Sequence, residues 1–283
     1  MCLDAIARAG QTQNVGFLFY SDEETDFYGM RHFVAAHPEV SPTFGLSLCG
    51  GHAKAYLGWR GCLEMEFLIK GKSAHASKPD EGANAAEAIS YVMETVRQAC
   101  SSSKTDVKTS ANIAAIRAGS AGSAQDFCTE NRQAPEMVNI ANKVPDMAWA
   151  LLDVRPGGPQ VTTSFIQSVA EQALVDWNKV DGRKHKAELK VRINLDMPSY
   201  KADDVRIQSL FERFAPVHHG QISELEKTGF LDTTLISSRH GTQFMCLTPA
   251  GDNMHAADEY VEIASLLTYR DCLVALLKEH TSL

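Results

Sequence analysis

Three adjacent carboxylates form the sequence cluster that most suggests chemistry. Asp22, Glu23 and Glu24 follow the apolar run at residues 15–20, which is typical of a buried strand. In open α/β sheets the carboxyl ends of the strands form the ligand crevice, where neighbouring carboxylates repel one another unless a cation or a shifted pKa relieves them. The alternative is a solvated acidic turn or a helix N-terminus, whose dipole favours carboxylates. Taken alone, the cluster favours this alternative.

Two of the ten histidines have a sequence context that suggests function. His75 lies in GKSAHASKP, a loop of small residues and proline, where a histidine can act in catalysis or stabilise an oxyanion. His255, in GDNMHAADEYV, precedes an acidic helix start and is either a neutral metal ligand or an ordinary loop residue. Seven others have no supporting context and are interpreted as structural: His32, His37, His185, His218, His219, His240 and His280.

Composition limits the classes of protein to consider. The 283 residues, 44% hydrophobic and 22% charged, are typical of one large or two modest globular domains. The net charge is 27 − 35 = −8, which argues against broad binding to nucleic acid or anionic membranes. No apolar run approaches the roughly 20 residues that cross a bilayer. We therefore expect no nucleic-acid or membrane partner.

The cysteines and the first residues indicate a cellular setting. Seven cysteines without a repeating spacing do not form a disulfide framework. The opening MCLDAIARAG has no basic region followed by an apolar region, as a secretory signal would. The sequence therefore predicts a reduced, cytoplasmic protein.

The first residues predict part of an α/β domain. A helix over residues 1–8 is followed by a strand at residues 14–20 buried on both faces, a helix at residues 28–36 and a strand at residues 44–49. The first helix has no N-cap, and a helix packed on a buried strand requires neighbouring strands. We therefore expect the downstream part of a longer α/β domain that lacks its first strands.

The middle of the chain predicts a separate α+β layer. Residues 62–69 alternate as a half-exposed strand, a helix follows at residues 84–99, and the order continues as strand, strand, helix, strand. This is the order of a split βαβ sandwich with helices on one face. From about residue 199 the α/β pattern returns. The predicted division is residues 1–58 and 199–283 for one domain and 59–198 for an insertion.

Five segments, taken in order, resemble one enzyme family. They are YSDEET, LGWRG with GKSAHASKPDEGANA, NKVPD with DVRP, TGFLDTT, and MHAADEYVEI. Together they resemble the family-twenty zinc metallopeptidases and aminoacylases, which include acetylornithine deacetylase, succinyl-diaminopimelate desuccinylase and carboxypeptidase G. The resemblance implies a three-layer α/β catalytic domain, incomplete at its N-terminus, with an inserted ferredoxin-like lid through which two subunits dimerise.

The resemblance assigns roles in the catalytic domain. Glu23 matches the general base that activates water, while Glu24 and His255 match ligands of one metal ion. Gly229 and Asp232 fall in the segment that lines the substrate pocket. The implied cofactor is zinc, with cobalt or manganese as alternatives.

It also assigns roles in the lid. His75 matches the histidine that reaches the partner's active site and stabilises the tetrahedral intermediate. Asn142 and Arg155 match positions that bind the substrate carboxylate or the oxyanion, and a guanidinium can grip a carboxylate in a planar fork.

The sequence departs from the family at the metal site. It lacks the upstream His-x-Asp motif and the bridging Asp, and it has no carboxylate between Glu39 and Glu64. The family binds up to two ions, and the remaining ligands support at most one. Cys49 is either a substitute thiolate ligand or, as we favour, a small buried residue at a strand end.

The sequence therefore predicts a metal-dependent hydrolase that cleaves the amide bond of an N-acyl amino acid or small peptide. The alternative is a catalytically impaired homologue that retains the dimerisation lid and binds a ligand. The homodimer is predicted to form through the strand at residues 62–69 and the helix at residues 84–99.

Overall fold

The structure is a computed structural model that describes residues 1–10, 14–23, 27–48, 53–122, 126–180, 184–203 and 205–279. Glu24 and Cys49 lie outside this described part. The helices are α1 (Cys2–Ala9), α2 (Tyr28–Ala36), α3 (Ala85–Ser102), α4 (Thr163–Asn178), α5 (Val205–Arg213), α6 (Ala215–His218), α7 (Thr234–His240) and α8 (Ile263–Glu279). The strands are β1 (Phe44–Ser47), β2 (Gly58–Trp59), β3 (Cys62–Lys70), β4 (Ser110–Ala121), β5 (Met137–Val138), β6 (Met147–Arg155), β7 (Glu188–Met197), β8 (Tyr200–Lys201), β9 (Gln243–Cys246), β10 (Gly251–Asp252) and β11 (Tyr260–Val261).

The chain divides into two compact units. The first contains residues Met1–Trp59 and Tyr200–Leu283, and the second contains Arg60–Ser199. The fold is mixed α/β, as the sequence predicts. Among the described residues no helix is long and apolar enough to cross a membrane.

The second unit is built on a five-stranded sheet. Its strand order is β5-β4-β6-β3-β7, and every pairing is antiparallel. The order along the chain is the predicted strand, helix, strand, strand, helix, strand, with the short β5 added. Both long helices begin at side-chain caps: Asn84 accepts from the amides of Ala86 and Glu87, and Thr162 accepts from that of Phe165.

One face of this sheet carries the helices and the largest core. Leu63, Met65, Phe67 and Ile69 alternate along β3 and are at most 1% exposed. They belong to one buried cluster with the inward residues of α3 and α4. The period-2 pattern thus identifies the face of β3 that packs against the helices.

The prediction that β3 is half-exposed is wrong. β3 lies between β6 and β7, so it is an inner strand of the sheet. Its second face is covered as well: Leu68 is fully buried in a cluster with Met147 and Trp149, and Glu66 is also fully buried. Periodicity missed this because a charged residue normally marks the solvent side of a strand.

Glu66 is buried with a complete set of partners. It accepts hydrogen bonds from Trp149 Nε1 at 2.8 Å, Arg192 Nη2 at 2.6 Å, Asn194 Nδ2 at 2.8 Å and the backbone amide of Arg132 at 3.0 Å. Burial acts to raise the pKa of Glu66, but these bonds together lower it. The carboxylate therefore remains charged. Its bonds hold side chains of β6 and β7, and the segment around residue 132, against the second face of β3.

Among the described residues, two smaller buried clusters lie in the first unit. β1 and β9 form a parallel pair. Met245 of β9 shares one buried cluster with Ala5 of α1 and Tyr269 of α8. The second cluster gathers further residues of this unit, including Met30, Trp59, Tyr200, Leu231 and Phe244. Both clusters unite residues from the two ends of the chain.

The prediction of a buried strand at residues 14–20 is wrong. These residues belong to no strand, and Phe17 and Leu18 are 37% exposed and Phe19 is 66% exposed. A strand buried on both faces needs neighbouring strands and covering helices. Among the described residues, the only strands in parallel pairing are β1 and β9, which pair with each other.

The Glu66 cluster predicts a large effect of removing its cation. Arg192→Met leaves a fully buried carboxylate without its main counter-charge, so we expect the free energy of unfolding of this unit to fall by about 3 kcal/mol. Urea unfolding followed by tryptophan fluorescence measures the change.

Lys190→Met is the matched control. Lys190 lies on the same strand and pairs with Asp126, but both side chains are about half exposed. We expect little change, because exposed ion pairs are screened by water. Equal destabilisation by the two variants would contradict the importance of the buried carboxylate.

Candidate functional site

The acidic loop, defined here as residues 21–23, ends in a turn before α2. Asp22 adopts a left-handed backbone with φ of 67°, which aspartate tolerates, and its carbonyl accepts the amide of Phe27 at 3.0 Å. Asp22 is exposed and Glu23 is half-buried. No acidic residue occupies the first turn of α2, so the helix-dipole interpretation does not apply to Asp22 and Glu23.

His255 lies in the loop that joins β10 and β11. These strands pair in antiparallel fashion, Gly251 with Val261 and Asp252 with Tyr260. Asn253 Nδ2 donates to Asp258 Oδ2 at 2.8 Å across the loop. His255 is exposed, with a left-handed φ of 64°. A short hairpin thus presents this side chain to solvent.

The described residues do not assemble a metal centre. No group of three or more histidine, cysteine, aspartate or glutamate side chains in the described ranges is placed to hold a metal ion. A catalytic zinc normally has three protein ligands. Of the predicted ligands, His255 is described, whereas Glu24 and the alternative Cys49 are not.

His75 and Asn142 are brought together in the second unit. The amide of Ala76 donates to the carbonyl of Asn142 at 2.9 Å, and His75 and Lys143 form an antiparallel bridge. Both His75 and Asn142 are exposed. Two segments separated by about half of the insertion therefore present these side chains at one place.

The environment of His75 fixes the role of each ring nitrogen. Nδ1 accepts the backbone amide of Ser77 at 3.2 Å and lies 2.8 Å from the Ser77 hydroxyl. An amide can only donate, so in the neutral ring the proton is on Nε2. The exposed ring can therefore offer an N–H donor to a substrate oxygen.

Arg155 already has a carboxylate partner. Its Nε and Nη2 donate to Asp153 Oδ1 and Oδ2 at 2.8 and 2.9 Å. Burial acts to lower the pKa of Arg155, but the bond with Asp153 and nearby acidic groups, Glu64 among them, raise it overall. The fork predicted to bind a substrate carboxylate is thus engaged by Asp153, which lies two residues away on the same face of β6.

Arg155 lies far from His75 and Asn142 within this unit. β6 begins at Met147, near the His75 loop, since Gly71 N donates to Asp146 O at 2.8 Å; β6 ends at Arg155. A nine-residue strand spans about 26 Å between its end residues. The two predicted groups of lid residues therefore occupy opposite ends of one sheet.

Gly229 and Asp232 have different environments. Gly229 is exposed, with no atom within 4 Å of a Cβ built there. Asp232 is 1% exposed, and its Oδ1 accepts the Tyr20 hydroxyl at 3.0 Å. Its Oδ2 is buried with no hydrogen-bond partner in the described part of the chain. Burial raises the pKa of Asp232, although Tyr20 and the amides of Asp232 and Thr233 oppose the shift.

Three contributors to these sites were missed by the sequence analysis: Tyr20, Ser77 and Asp153. The alternation of β6 could have placed Asp153 beside Arg155, because residues two apart share a face. No local pattern indicates the bond between Tyr20 and Asp232, which joins residues 212 positions apart. His218 matches its structural interpretation: it is buried, donates from Nε2 to Phe211 O and accepts Gly220 N.

Comparison with known proteins places the chain in a family. Residues 1–279 match the sequence model of Peptidase family M20/M25/M40, so the chain belongs to this family. No curated protein matches the chain significantly by sequence.

Solved structures show the same fold at low identity. The aminopeptidase PepT of Bacillus cereus is 18% identical with a TM-score of 0.64, over 92% of this chain and 63% of its own. A tripeptidase of Staphylococcus aureus is 19% identical with a TM-score of 0.59, over 93% and 63%. The YXEP protein of Bacillus subtilis, described as a dinuclear metal binding peptidase, is 17% identical with a TM-score of 0.54, over 92% and 64%. The chain thus spans less than two thirds of the length of these relatives.

The burial of Asp232 predicts a pH-dependent stability difference. Its raised pKa means that the folded state favours the neutral acid. This preference stabilises the folded parent below the ordinary pKa of aspartate, and the stabilisation is lost as pH rises through the folded-state pKa. Asp232→Asn mimics the neutral form at every pH. We expect the melting temperature of this variant, relative to the parent, to rise from pH 4 upwards.

Melting curves of the two proteins across pH 4 to 8 check this prediction. Asp80→Asn serves as the control, because Asp80 is exposed and its replacement leaves no buried group altered. A difference in melting temperature between Asp232→Asn and the parent that stays constant across this pH range would contradict the prediction.

Proposed function

We propose that this chain is a metal-dependent hydrolase that cleaves the amide bond of an N-acyl amino acid or a small peptide. The observation that carries the proposal is the family match over residues 1–279, which includes the acidic loop and both candidate histidine loops. Peptidases among the solved structures with this fold support the same reaction class.

In the proposed site Glu23 is the general base that removes a proton from the attacking water. His75 stabilises the oxyanion through its Nε2–H, and the adjacent Asn142 contributes a further amide donor. Arg155 and Gly229 are assigned to substrate binding. To bind a substrate carboxylate through its fork, Arg155 would exchange its bonds to Asp153 for bonds to the substrate.

The metal ion belongs to the proposal through the family, with Glu24 and His255 as its protein ligands and zinc, cobalt or manganese as the ion. The description of a Bacillus subtilis relative as a dinuclear metal binding peptidase supports this part. The described residues form no metal centre. The roles given above to Glu23, His75 and Asn142 are therefore roles of the side chains themselves.

We propose that the protein works as a homodimer through the second unit. The supporting observation is the separation of about 26 Å along β6, which keeps His75 and Asn142 of one copy away from Arg155 of the same copy. A second copy could supply the missing group. Of the two predicted contact elements, β3 is an inner strand and cannot form the contact. The outer face of α3 therefore remains, where Tyr91 is 47% exposed.

The second candidate is a catalytically impaired homologue that keeps ligand binding and dimerisation. The observation that favours it comes from the sequence, which lacks a His-x-Asp motif and has no carboxylate between Glu39 and Glu64. For either candidate we propose the cytoplasm as the location, supported by six free thiols among the described cysteines.

The hydrolase proposal predicts that Glu23→Gln removes activity. The amide keeps the size of the side chain but cannot accept a proton from water, so we expect release of amino acids from N-acetyl amino acids and tripeptides to fall at least about 100-fold. Assays with added zinc, cobalt or manganese measure the loss.

Asp22→Asn is the control, because it removes a neighbouring exposed carboxylate and keeps Glu23. We expect it to retain most of the activity. Equal rates for the parent and Glu23→Gln would remove Glu23 from the reaction. A parent without activity under every metal would favour the impaired homologue.

If the protein is a homodimer, its mass in sedimentation should be that of two chains and should fall on dilution. Tyr91→Asp places a charge on the outer face of α3, where it would be desolvated in the interface, so we expect dissociation at micromolar concentration. Sedimentation velocity measures the mass, with Glu87→Asp as a conservative control on the same helix. A parent that sediments only as a monomer would contradict the dimer.

A further inference from the structure

The acidic loop is joined to a distant buried carboxyl group. Tyr20 directly precedes this loop, and its hydroxyl donates to Asp232 Oδ1 at 3.0 Å. Because Asp232 is only 1% exposed, its side chain offers a substrate almost no surface. Its side-chain hydrogen-bond partner among the described residues is Tyr20.

The segment that carries Asp232 is itself fixed. Trp59 Nε1 donates to Thr234 Oγ1 at 2.7 Å, and both residues are at most 1% exposed. Leu231 packs in the same buried cluster as Trp59 and Tyr20. The Asp232 carboxyl therefore lies on a well-packed segment. By contrast, residues 17–19 before Tyr20 have exposed apolar side chains and no strand partner in the described ranges.

The other side of the acidic loop is held by the start of α2. A Cβ at Gly29 would lie 2.5 Å from Ser21 O and 2.9 Å from Ser21 N, so the helix approaches this backbone as closely as glycine allows. The rings of Phe27 and Phe230 meet edge to face at 5.3 Å, which joins the start of α2 to the segment that carries Asp232. The start of the acidic loop is thus held both by Asp232, through Tyr20, and by the start of α2, which packs against Ser21.

We propose that Asp232 is a positioning residue that holds the acidic loop, and with it Glu23, through the hydroxyl of Tyr20. This inference rests on the proposed function and replaces direct substrate contact as the role of Asp232. A general base must lie within hydrogen-bond reach of the water it activates, so a loop released at Tyr20 misplaces Glu23 while substrate binding elsewhere is unchanged.

Two variants break the bond from opposite ends. Tyr20→Phe removes the donor, and Asp232→Leu keeps nearly the size of the side chain but has no oxygen that could accept the bond. We expect each to lower kcat about tenfold with KM within about twofold of the parent. The double variant should be no slower than the slower single one, because both changes remove the same interaction.

Hydrogen exchange of the loop amides gives a readout that needs no activity. In both variants we expect exchange of residues 21–23 to accelerate about fivefold, as for the loss of one hydrogen bond. Tyr28→Phe is the matched control: Tyr28 is 68% exposed, lies in the same region and makes no bond to Asp232, so both kinetics and exchange should stay at parent values.

The outcomes separate the two proposals. Unchanged loop exchange in Tyr20→Phe, or effects of the two single variants that simply add, would overturn the positioning role. A raised KM in Asp232→Leu with normal kinetics in Tyr20→Phe would instead assign Asp232 to substrate contact. If the parent hydrolyses no substrate, the proposed function fails, and the exchange measurements still decide whether Asp232 holds the loop.

Discussion

A charged group removed from water must be paired, and the second unit depends on how Glu66 meets this requirement. The carboxylate is fully buried on the helix-free face of the sheet, and its partners come from β6, β7 and the segment before β5. Any arrangement that separates these elements leaves a buried charge unpaired. Backbone pairing with β6 and β7 makes β3 an inner strand, and the bonds of Glu66 cover its second face.

A sheet fixed in this way keeps its two ends apart. His75 and Asn142 lie beyond the start of β6, and Arg155 lies at its end, held by Asp153. Packing along the whole strand prevents it from bending enough to bring these groups together. The separation of the two groups is the observation on which the proposed dimer rests.

In the first unit the acidic loop follows residues that belong to no strand, so no strand fixes its position. Contacts made beside the loop therefore contribute to the order at Glu23. Tyr20 with Asp232 and Gly29 against Ser21 provide these contacts, and both involve atoms with little room to move. The loop is positioned by tertiary contacts where a parallel strand would otherwise position it.

The sequence by itself determined the family through five ordered segments, the alternating face of β3 and the order of elements in the second unit. It also identified the helix starts near Asn84 and Thr162, since capping is local. Only the tertiary structure decided that Glu66 is buried, that Asp153 engages Arg155, that residues 15–20 form no strand and that Tyr20 meets Asp232. Periodicity reports which side of an element is apolar, but which distant groups satisfy a buried charge or hydroxyl depends on contacts between residues far apart in the chain.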